Sequence, residues 1–356
     1  MRDDLPSADE PSPPDGEGQL LPIPDPAESA RLLSAGTQAA ASEGFRSGFV
    51  ALIGRPNVGK STLLNQLVGE KVAITSPVAQ TTRNRLRAIL TTAGAQLVLL
   101  DTPGIHKPHH LLGERLVKTA KTAIGDVDVV LLLVDGSAPA GRGDSFIMEL
   151  LRHCHAPVHV ALNKHDLVDP AQAEALAASY REMLAGRGDF ASPTPAGQAP
   201  HPPLAWPLHP VSALTGAGTE ALVAALCADL PEGPQLYPAN AVSDQPEQLL
   251  MAELIREQVL SHTREEVPHS VAVSIDRVVD DGPRTAVLAT VLVERASQKG
   301  ILIGKGGRML KTIGQGARLQ MEKVFSGPVY LELFVKVVPD WRRSAARLAE
   351  LGYRGD

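Results

Sequence analysis

An eight-residue stretch, Gly54-Arg55-Pro56-Asn57-Val58-Gly59-Lys60-Ser61, places the strongest constraint on the fold of this chain. It matches the phosphate-binding pattern G-x-x-x-x-G-K-[ST] at every specified position. The apolar run 49 to 53 before it indicates a buried strand, and residues 62 to 67 after it have the apolar spacing of a helix. Glycine lets the backbone approach an anion, and a helix N-terminus directs partial positive charge toward it. The stretch, extended by Thr62, therefore predicts a nucleotide-phosphate site.

Two side chains of this stretch have specific chemistry. Lys60 is expected to reach the β- and γ-phosphates as a point charge, and the Ser61 hydroxyl is expected to ligate Mg²⁺. Lys60 is therefore a candidate catalytic residue, and Ser61 a candidate metal ligand.

The sequence that follows alternates strands with helices, which is typical of an α/β domain with a mostly parallel sheet. The predicted strands are 49 to 53, 86 to 92, 95 to 101, 128 to 134, 158 to 163 and 206 to 211. Polar motifs follow three of these strands, at the end of the sheet where such folds bind ligands. The order of the motifs along the chain favours a nucleotide-binding domain over ordinary turns.

The first of these motifs is Asp101-Thr102-Pro103-Gly104. A carboxylate at this position can hold Mg²⁺ through water, and the Gly104 amide can approach the γ-phosphate. In the second motif, Asn163-Lys164-His165-Asp166, the Asp166 carboxylate can accept hydrogen bonds from N1-H and the 2-amino group of guanine, which adenine lacks. The third motif contains Ser212 and Ala213, whose backbone is expected to meet guanine O6.

The polar stretch 79 to 83 lies between the phosphate loop and Asp101, where a nucleotide-sensing loop is expected. A threonine there can ligate Mg²⁺ and hydrogen-bond the γ-phosphate in the triphosphate state. Thr82 is the preferred candidate for this metal and catalytic role, and Thr81 is the alternative.

A second domain is predicted after residue 246. It begins with a helix at 247 to 263, continues with alternating strand patterns around 271 to 275 and 287 to 293, and ends with a strand at 329 to 338. Between the last two of these strands, Gly304-Lys305-Gly306-Gly307 fits the G-x-x-G loop with which KH domains hold a single-stranded nucleic-acid backbone. Residues 299 to 323 contain six bases and one acid. Lys305, Arg308 and Lys311 are thus expected to contact RNA with the glycines, although a structural glycine turn is the alternative.

Composition divides the chain further. Residues 1 to 45 contain nine acids and two bases, whereas the remaining residues are nearly neutral. We therefore expect a disordered, acidic, proline-rich tail at 1 to 44 and a GTPase domain at 45 to 230 with an exposed insertion at 186 to 207. A linker at 231 to 246 and an RNA-binding domain at 247 to 356 complete the prediction. Two distant cysteines and no long apolar run favour the cytoplasm.

The motifs together resemble the bacterial Era family, within the TrmE-Era-EngA-like GTPases. The resemblance covers about residues 46 to 353 and depends on GRPNVGKS, AQTTR, DTPG, NKHD, VSAL, IGKGGRMLKTIG and PVYLELFVKV. It implies a P-loop GTPase domain followed by an α+β KH domain of type II, with GTP, GDP and Mg²⁺ as ligands. It also implies a monomer that binds the 3′ end of small-subunit ribosomal RNA and acts in maturation of the 30S subunit. Peripheral contact with the inner face of the plasma membrane is a further implication.

Ile105 occupies the position where Ras-like GTPases have a glutamine that orients the attacking water. An aliphatic side chain cannot hydrogen-bond water, so we expect slow intrinsic hydrolysis, with K⁺ as an additional ligand bound through Asn57. Two alternative functions stay open at this point. One is a membrane-associated or division-signalling GTPase, and the other is an RNA-binding protein with a structural nucleotide site.

Overall fold

A computed structural model of the chain describes residues 44–76, 78, 81–82, 86–102, 104, 124–187, 202–280, 282 and 284–351. All described residues belong to one compact unit, Ala41–Asp356. The predicted tail at 1 to 44 lies outside the described residues except for Gly44, as does most of the predicted insertion at 186 to 207. The domain boundaries given above stay predictions.

The first part of the described chain alternates strands and helices. Its strands are β1 (Arg46–Gly54), β2 (Leu86–Thr91), β3 (Ala95–Asp101), β4 (Val129–Asp135), β5 (Val158–Asn163) and β6 (Leu208–Pro210). Its helices are α1 (Lys60–Val68), α2 (Arg142–Leu151), α3 (Pro170–Leu184) and α4 (Thr219–Asp229). The strands form one sheet in the order β2-β3-β1-β4-β5-β6, which is parallel except that β2 runs antiparallel to β3.

The central strands are apolar on both faces because helices cover both sides of the sheet. In β1, Val50 and Leu52 pack with the core that contains Leu63 of α1, whereas Ala51 and Ile53 belong to the core on the opposite side. All four β1 residues are fully buried. The sheet therefore holds the phosphate loop, which begins where β1 ends, on a rigid base.

The second part of the described chain combines a smaller sheet with helices. Its helices are α5 (Glu247–His262), α6 (Val267–Ser270), α7 (Ala296–Ile303), α8 (Arg308–Val324) and α9 (Ala345–Glu350). Its strands are β7 (Ala272–Asp280), β8 (Thr285–Val293) and β9 (Val329–Val337), in the order β7-β8-β9. β7 and β8 are antiparallel, and β9 runs parallel to β8. Helices α5, α7 and α8 contribute to the core on one face of this sheet, and α9 packs with Ala272 and Leu292 at one end of the other face.

Buried and partly exposed residues alternate along β8, which explains why one face of this sheet lies in the core. Val287, Ala289, Val291 and Val293 are fully buried, and they pack in a core with residues of α5 and α8. The residues between them point to the other face and are partly exposed. The predicted hairpin is present, although β7 extends to Asp280 with a bulge between Ile275 and Arg277.

One predicted strand is too long. The interval 206 to 211 contains only the three-residue strand β6, at the edge of the sheet. Pro207 and Pro210 have no backbone N–H and so cannot extend the hydrogen-bond ladder. The other predicted strands of this sheet agree with the structure to within three residues at each end.

Candidate nucleotide site and nucleic-acid interface

The phosphate loop joins β1 to α1, as predicted. Gly59, at the N-terminus of α1, has φ 98°, and Asn57 has φ 64°. A Cβ atom on Gly59 would lie 2.2 Å from Nδ2 of Asn163, which excludes any side chain at this position. The loop conformation therefore depends on glycine here for both backbone angle and space.

Lys60 lies in the first turn of α1 and is 7% exposed. Its Nζ donates hydrogen bonds to the carbonyl oxygens of Gly54 at 3.3 Å and Arg55 at 3.1 Å, so the ammonium is enclosed by the loop. Burial lowers the pKa of Lys60, and the negative charge of Asp101 opposes this shift. The loop thus holds the lysine where the sequence predicts the β- and γ-phosphates.

Three oxygen atoms from separate elements converge beside this lysine. Oδ2 of Asp101 accepts hydrogen bonds from Ser61 Oγ at 2.8 Å and from Thr82 Oγ1 at 2.9 Å, and the two hydroxyl oxygens are 3.0 Å apart. Burial raises the pKa of the Asp101 carboxyl, opposed by Lys60 and by the two hydroxyls. Two hydroxyls and a carboxylate are hard oxygen donors of the kind that Mg²⁺ prefers. The predicted metal ligands therefore come together, and their chemistry fits Mg²⁺.

The residues after Asp101 also adjoin the phosphate loop. The Thr102 hydroxyl donates to the carbonyl of Leu52 at 2.6 Å, so its side chain is used within the sheet. A Cβ on Gly104 would lie 2.8 Å from the backbone nitrogen of Pro56, which explains glycine at this close approach. Pro103 and Ile105 lie outside the described residues.

These elements surround a small, partly open cleft of about 50 Å³. Its lining residues are Pro56, Asn57, Gly59, Lys60, Ser61, Thr62, Ile74, Thr75, Ser76, Thr81, Thr82 and Gly104. Both candidate threonines of the predicted switch loop are among them, but only the Thr82 hydroxyl bonds to Asp101; the Thr81 hydroxyl donates to the carbonyl of Val78 at 2.7 Å.

The predicted base-binding residues meet at the ends of β5 and β6. Asn163 is 2% exposed; its Nδ2 donates to the Val58 carbonyl at 2.7 Å, and its Oδ1 accepts from the Ala213 amide at 2.8 Å. The exposed carboxylate of Asp166 accepts a hydrogen bond from Ser212 Oγ at 2.5 Å through Oδ1. Asn163 therefore ties the phosphate loop to the residues predicted to bind guanine.

Asp135, at the end of β4, belongs to this group although the sequence motifs did not single it out. Its Oδ2 accepts a hydrogen bond from Lys164 Nζ at 2.6 Å. Burial alone would raise the pKa of Asp135, but the hydrogen bonds from Lys164 and Ser137 and the charge of Lys164 outweigh it and lower the pKa. The signal that could have identified Asp135 as a site residue is its position at the carboxyl end of a parallel strand.

Arg55 of the phosphate loop also has a protein partner that the motif does not specify. Its Nε donates to Oδ1 of Asp144 at 2.8 Å, and Asp144 is 1% exposed in the first turn of α2. Burial raises the pKa of Asp144, whereas Arg55 lowers it. The ion pair anchors the outer side of the loop to α2, so a nucleotide contact by Arg55 is left to its backbone.

The predicted RNA-binding loop joins α7 to α8. Gly304, Gly306 and Gly307 have φ values of 69°, 62° and 76°, all in the left-handed region that favours glycine. Lys305, Arg308 and Lys311 are exposed around it. The loop therefore presents three glycines and three basic side chains at the N-terminus of a helix, an arrangement that suits a phosphate backbone.

Comparisons with known proteins agree with both sites. Residues 49–164 match a family model described as a 50S ribosome-binding GTPase, and residues 266–342 match a model described as a KH domain. The chain is 56% identical over 314 residues to GTPase Era of Synechocystis sp., covering 88% of this chain and 94% of the relative. The chain belongs to the Era family of GTPases. GTPase Era of Nostoc sp. is 57% identical over 310 residues, covering 87% of this chain and 90% of the relative.

Solved Era structures give the same result at the level of the fold. A single-residue variant of Aquifex aeolicus Era bound to GDP.AlF4⁻ has a TM-score of 0.78 and 38% identity, covering 87% of this chain and 99% of that chain. A structure of Era in complex with MgGDPNP and nucleotides 1506-1542 of 16S ribosomal RNA has the same TM-score, identity and coverage. The predicted family, the P-loop GTPase fold with a following KH domain, and the GTPase activity are therefore confirmed. Among the described residues, none of the helices combines the length and apolar composition needed to cross a bilayer.

Proposed function

We propose that this chain is a GTP-hydrolysing switch that binds the 3′ end of small-subunit ribosomal RNA through its KH domain and acts in maturation of the 30S subunit. One observation carries the proposal: the Ser61, Thr82 and Asp101 oxygens beside Lys60 occur in the same Era-family chain as the basic glycine loop at 304 to 307. The Era relative in complex with MgGDPNP and 16S ribosomal RNA supports both ligands.

The nucleotide chemistry follows from the cleft. Lys60 would neutralise charge on the β- and γ-phosphates, and the Gly104 amide would hydrogen-bond the γ-phosphate. Ser61 and Thr82 would hold Mg²⁺ directly and Asp101 would hold it through water, and the metal would supply positive charge next to the phosphates. Thr82 would contact Mg²⁺ and the γ-phosphate only when a triphosphate is bound, which makes its loop the nucleotide-sensitive part of the switch.

Hydrolysis without a partner is proposed to be slow, because Ile105 cannot orient water. Asn57 is the proposed K⁺ ligand in the phosphate loop. Turnover of the purified chain should be low in Na⁺ and should rise when K⁺ replaces it. Fast hydrolysis in Na⁺ without RNA would contradict this part of the proposal.

The RNA contact is proposed to depend on backbone clamping by Gly304 to Gly307, with Lys305, Arg308 and Lys311 pairing with phosphates. Reversing charge with Lys305→Asp plus Arg308→Asp should weaken binding of a 3′-terminal small-subunit RNA oligonucleotide by about tenfold or more and reduce its salt dependence. Binding is measured by fluorescence anisotropy with GDPNP and with GDP.

The matched control is Arg277→Asp plus Lys336→Asp. These two exposed bases lie on β7 and β9, where they pair with Leu288 and Leu292 of β8. The control should bind RNA like the unmodified chain, and in cells only the loop variant should accumulate unfinished 30S subunits. Equal RNA affinity for the loop variant and the control would refute the RNA-binding assignment. Peripheral membrane contact stays a prediction.

A further inference from the structure

Helix α5, the first helix of the predicted RNA-binding domain, contacts the loop that leads to Thr82. Oε2 of Glu257 accepts a hydrogen bond from Lys71 Nζ at 2.5 Å, and Oε1 accepts from the Thr75 backbone amide at 2.8 Å. The neighbouring Arg256 donates from Nη2 to the backbone carbonyl of Thr81. Two consecutive residues of one helix thus hold this loop at both ends.

These contacts are buried. Arg256 is fully buried and Glu257 is 6% exposed. Ile74, between the two polar contacts, is 3% exposed and belongs to the same apolar core as Leu254 and Ile255 of α5. Hydrogen bonds that involve charged groups away from water are stronger than exposed ones. The attachment of the loop to α5 is therefore stronger than a surface ion pair would be.

The guanidinium of Arg256 is itself held in place. Glu253, one helical turn earlier, accepts its Nε at 2.9 Å and its Nη2 at 2.5 Å. The planar guanidinium can pair with this carboxylate and direct a further N–H toward Thr81 at the same time. A lysine has a single nitrogen at the end of a flexible stem, and cannot reproduce this fixed fork.

The carbonyl that Arg256 holds belongs to the peptide unit that joins Thr81 to Thr82. A peptide unit is planar, so a fixed Thr81 carbonyl oxygen also fixes the directions of the Thr82 nitrogen and Cα. The Thr82 hydroxyl oxygen is 2.9 Å from Asp101 Oδ2 and 3.0 Å from Ser61 Oγ. The arginine contact and the predicted metal ligand therefore belong to consecutive residues.

We propose that Arg256 and Glu257 are positioning residues for GTP hydrolysis, which hold the 71 to 82 loop so that the Thr82 hydroxyl stays at the Mg²⁺ position. The inference rests on the proposed function of Thr82 as a metal ligand. It assigns part of the geometry of the nucleotide site to a helix outside the nucleotide-binding sheet. Displacement of α5 when RNA binds would then change the rate of hydrolysis.

The experiment compares GTP hydrolysis by the full chain with Arg256→Met, which keeps an unbranched apolar stem and removes the guanidinium donors. The expected result is a fall in kcat of about tenfold and a higher Mg²⁺ concentration for half-maximal activity, because a misplaced ligand costs rate out of proportion to its displacement. GDP affinity should be unchanged, because Thr82 is proposed to act only in the triphosphate state. Arg256→Lys should restore part of kcat.

Two further variants separate positioning from general stability. Glu257→Ala removes the acceptor for Thr75 and should show the same contrast between GTP hydrolysis and GDP affinity. Arg342 is a partly buried arginine that forms an ion pair with Glu294, away from the loop. Arg342→Met breaks this pair and should leave kcat and the Mg²⁺ requirement unchanged. Normal kcat and Mg²⁺ requirement in Arg256→Met and Glu257→Ala would overturn the inference. So would equal losses of kcat in all the variants, Arg342→Met included, in proportion to melting temperature.

Thr82→Ala is measured in parallel to test the premise. If Thr82→Ala hydrolyses GTP normally with a normal Mg²⁺ requirement, the proposed function of Thr82 fails and the inference fails with it. If Thr82→Ala is impaired while Arg256→Met and Glu257→Ala are not, only the positioning inference fails. If all three are impaired and the double variant Thr82→Ala plus Arg256→Met is no slower than Thr82→Ala, the two residues act through one path and the inference is supported.

Discussion

At the scale of single residues, the side chain of Asn163 forms hydrogen bonds with two other segments of the site. Both ends of its amide are engaged, with the Val58 carbonyl at 2.7 Å and the Ala213 amide at 2.8 Å. The motif predicted a contact between this residue and the nucleotide, and that contact stays a prediction. What the geometry adds is a brace that couples phosphate binding to base binding.

Gly59 leads to a prediction about this brace. In Gly59→Ala the new Cβ would lie 2.2 Å from Asn163 Nδ2, so the asparagine must move and the loop must distort. We expect GTP affinity to fall by about a hundredfold, which corresponds to the loss of roughly 3 kcal/mol of contacts.

Gly69→Ala is the matched control for Gly59→Ala. Gly69 also has positive φ, 76°, but nothing lies within 4 Å of its Cβ position. Its substitution should lower the free energy of unfolding by about 1 to 2 kcal/mol through backbone strain and leave GTP affinity unchanged. Titration calorimetry would show whether the two variants differ, and equal GTP affinities would contradict the role of the brace.

Asp166 is the residue predicted to determine which base is accepted. Replacing its carboxylate in Asp166→Asn turns one acceptor for the guanine N1-H and 2-amino group into a donor. We expect weaker GTP hydrolysis and a shift of preference toward XTP, measured as kcat/KM for both nucleotides. Asp169→Asn, at the N-cap of α3, retains a side-chain oxygen for the Ala171 amide and should change neither value. A variant at 166 that still prefers GTP by the original ratio would disprove the assignment.

At the scale of elements, the segment at 231 to 246 is not a free tether. It lies along the edge of the first sheet, where Ile89 donates its amide to the Val242 carbonyl at 2.9 Å. The fully buried Gln96 accepts the amides of Leu236 and Tyr237 at 2.7 and 2.8 Å and donates to the Tyr237 carbonyl at 2.9 Å. One glutamine of β3 therefore fastens the segment to the sheet.

This arrangement predicts a large effect of a nearly isosteric change. Gln96→Leu would leave the backbone amides of Leu236 and Tyr237 without their acceptor, and should lower the free energy of unfolding by about 2 to 4 kcal/mol. Arg87→Met is the control, because it removes solvent-accessible contacts with Asp244 and Tyr237 and should cost less than about 1 kcal/mol. Urea unfolding of both variants measures the difference, and comparable losses would show that Gln96 has no special role.

At the scale of the whole molecule, the loop at 71 to 82 connects the nucleotide cleft to the helical core above the second sheet. Ile74 is both a lining residue of the cleft and a member of the apolar core that includes Val259 of α5. A change in this loop on exchange of GDP for GTP must therefore alter packing against α5. Packed cores respond to such changes by adopting discrete arrangements.

Ile74→Ala should sever this link. We expect a loss of about 2 to 4 kcal/mol in the free energy of unfolding, as for other buried isoleucines. In the unmodified chain, a GTP analogue with Mg²⁺ should slow amide hydrogen exchange in α5 relative to GDP, and this difference should disappear in the variant. Ile89→Ala, 2% exposed but within β2, should lose similar stability and keep the difference. Equal rates of amide hydrogen exchange in α5 of the unmodified chain with the GTP analogue and with GDP would contradict the link.

The sequence by itself determined the two kinds of site in this protein. Each motif consists of residue types at short, fixed spacings, because one ligand group must meet several neighbouring backbone atoms. These motifs are the phosphate loop, the acid at the end of β3, the guanine motif and the glycine loop at 304 to 307. The alternating patterns likewise placed most strands, and the resemblance to the Era family was confirmed. The domain boundaries and the roles of individual site residues stay predictions.

Only the tertiary structure decided how these parts support one another. Asn163 meets an amide 50 residues away, Gln96 a carbonyl 141 residues away, and Arg256 a carbonyl 175 residues away. No spacing rule relates such partners, because their approach depends on how the sheets and helices close around their cores. The phosphate loop could be recognised from eight consecutive residues, whereas the contacts of α5 with Thr75 and Thr81, next to the predicted metal ligand Thr82, became visible only when the chain was folded.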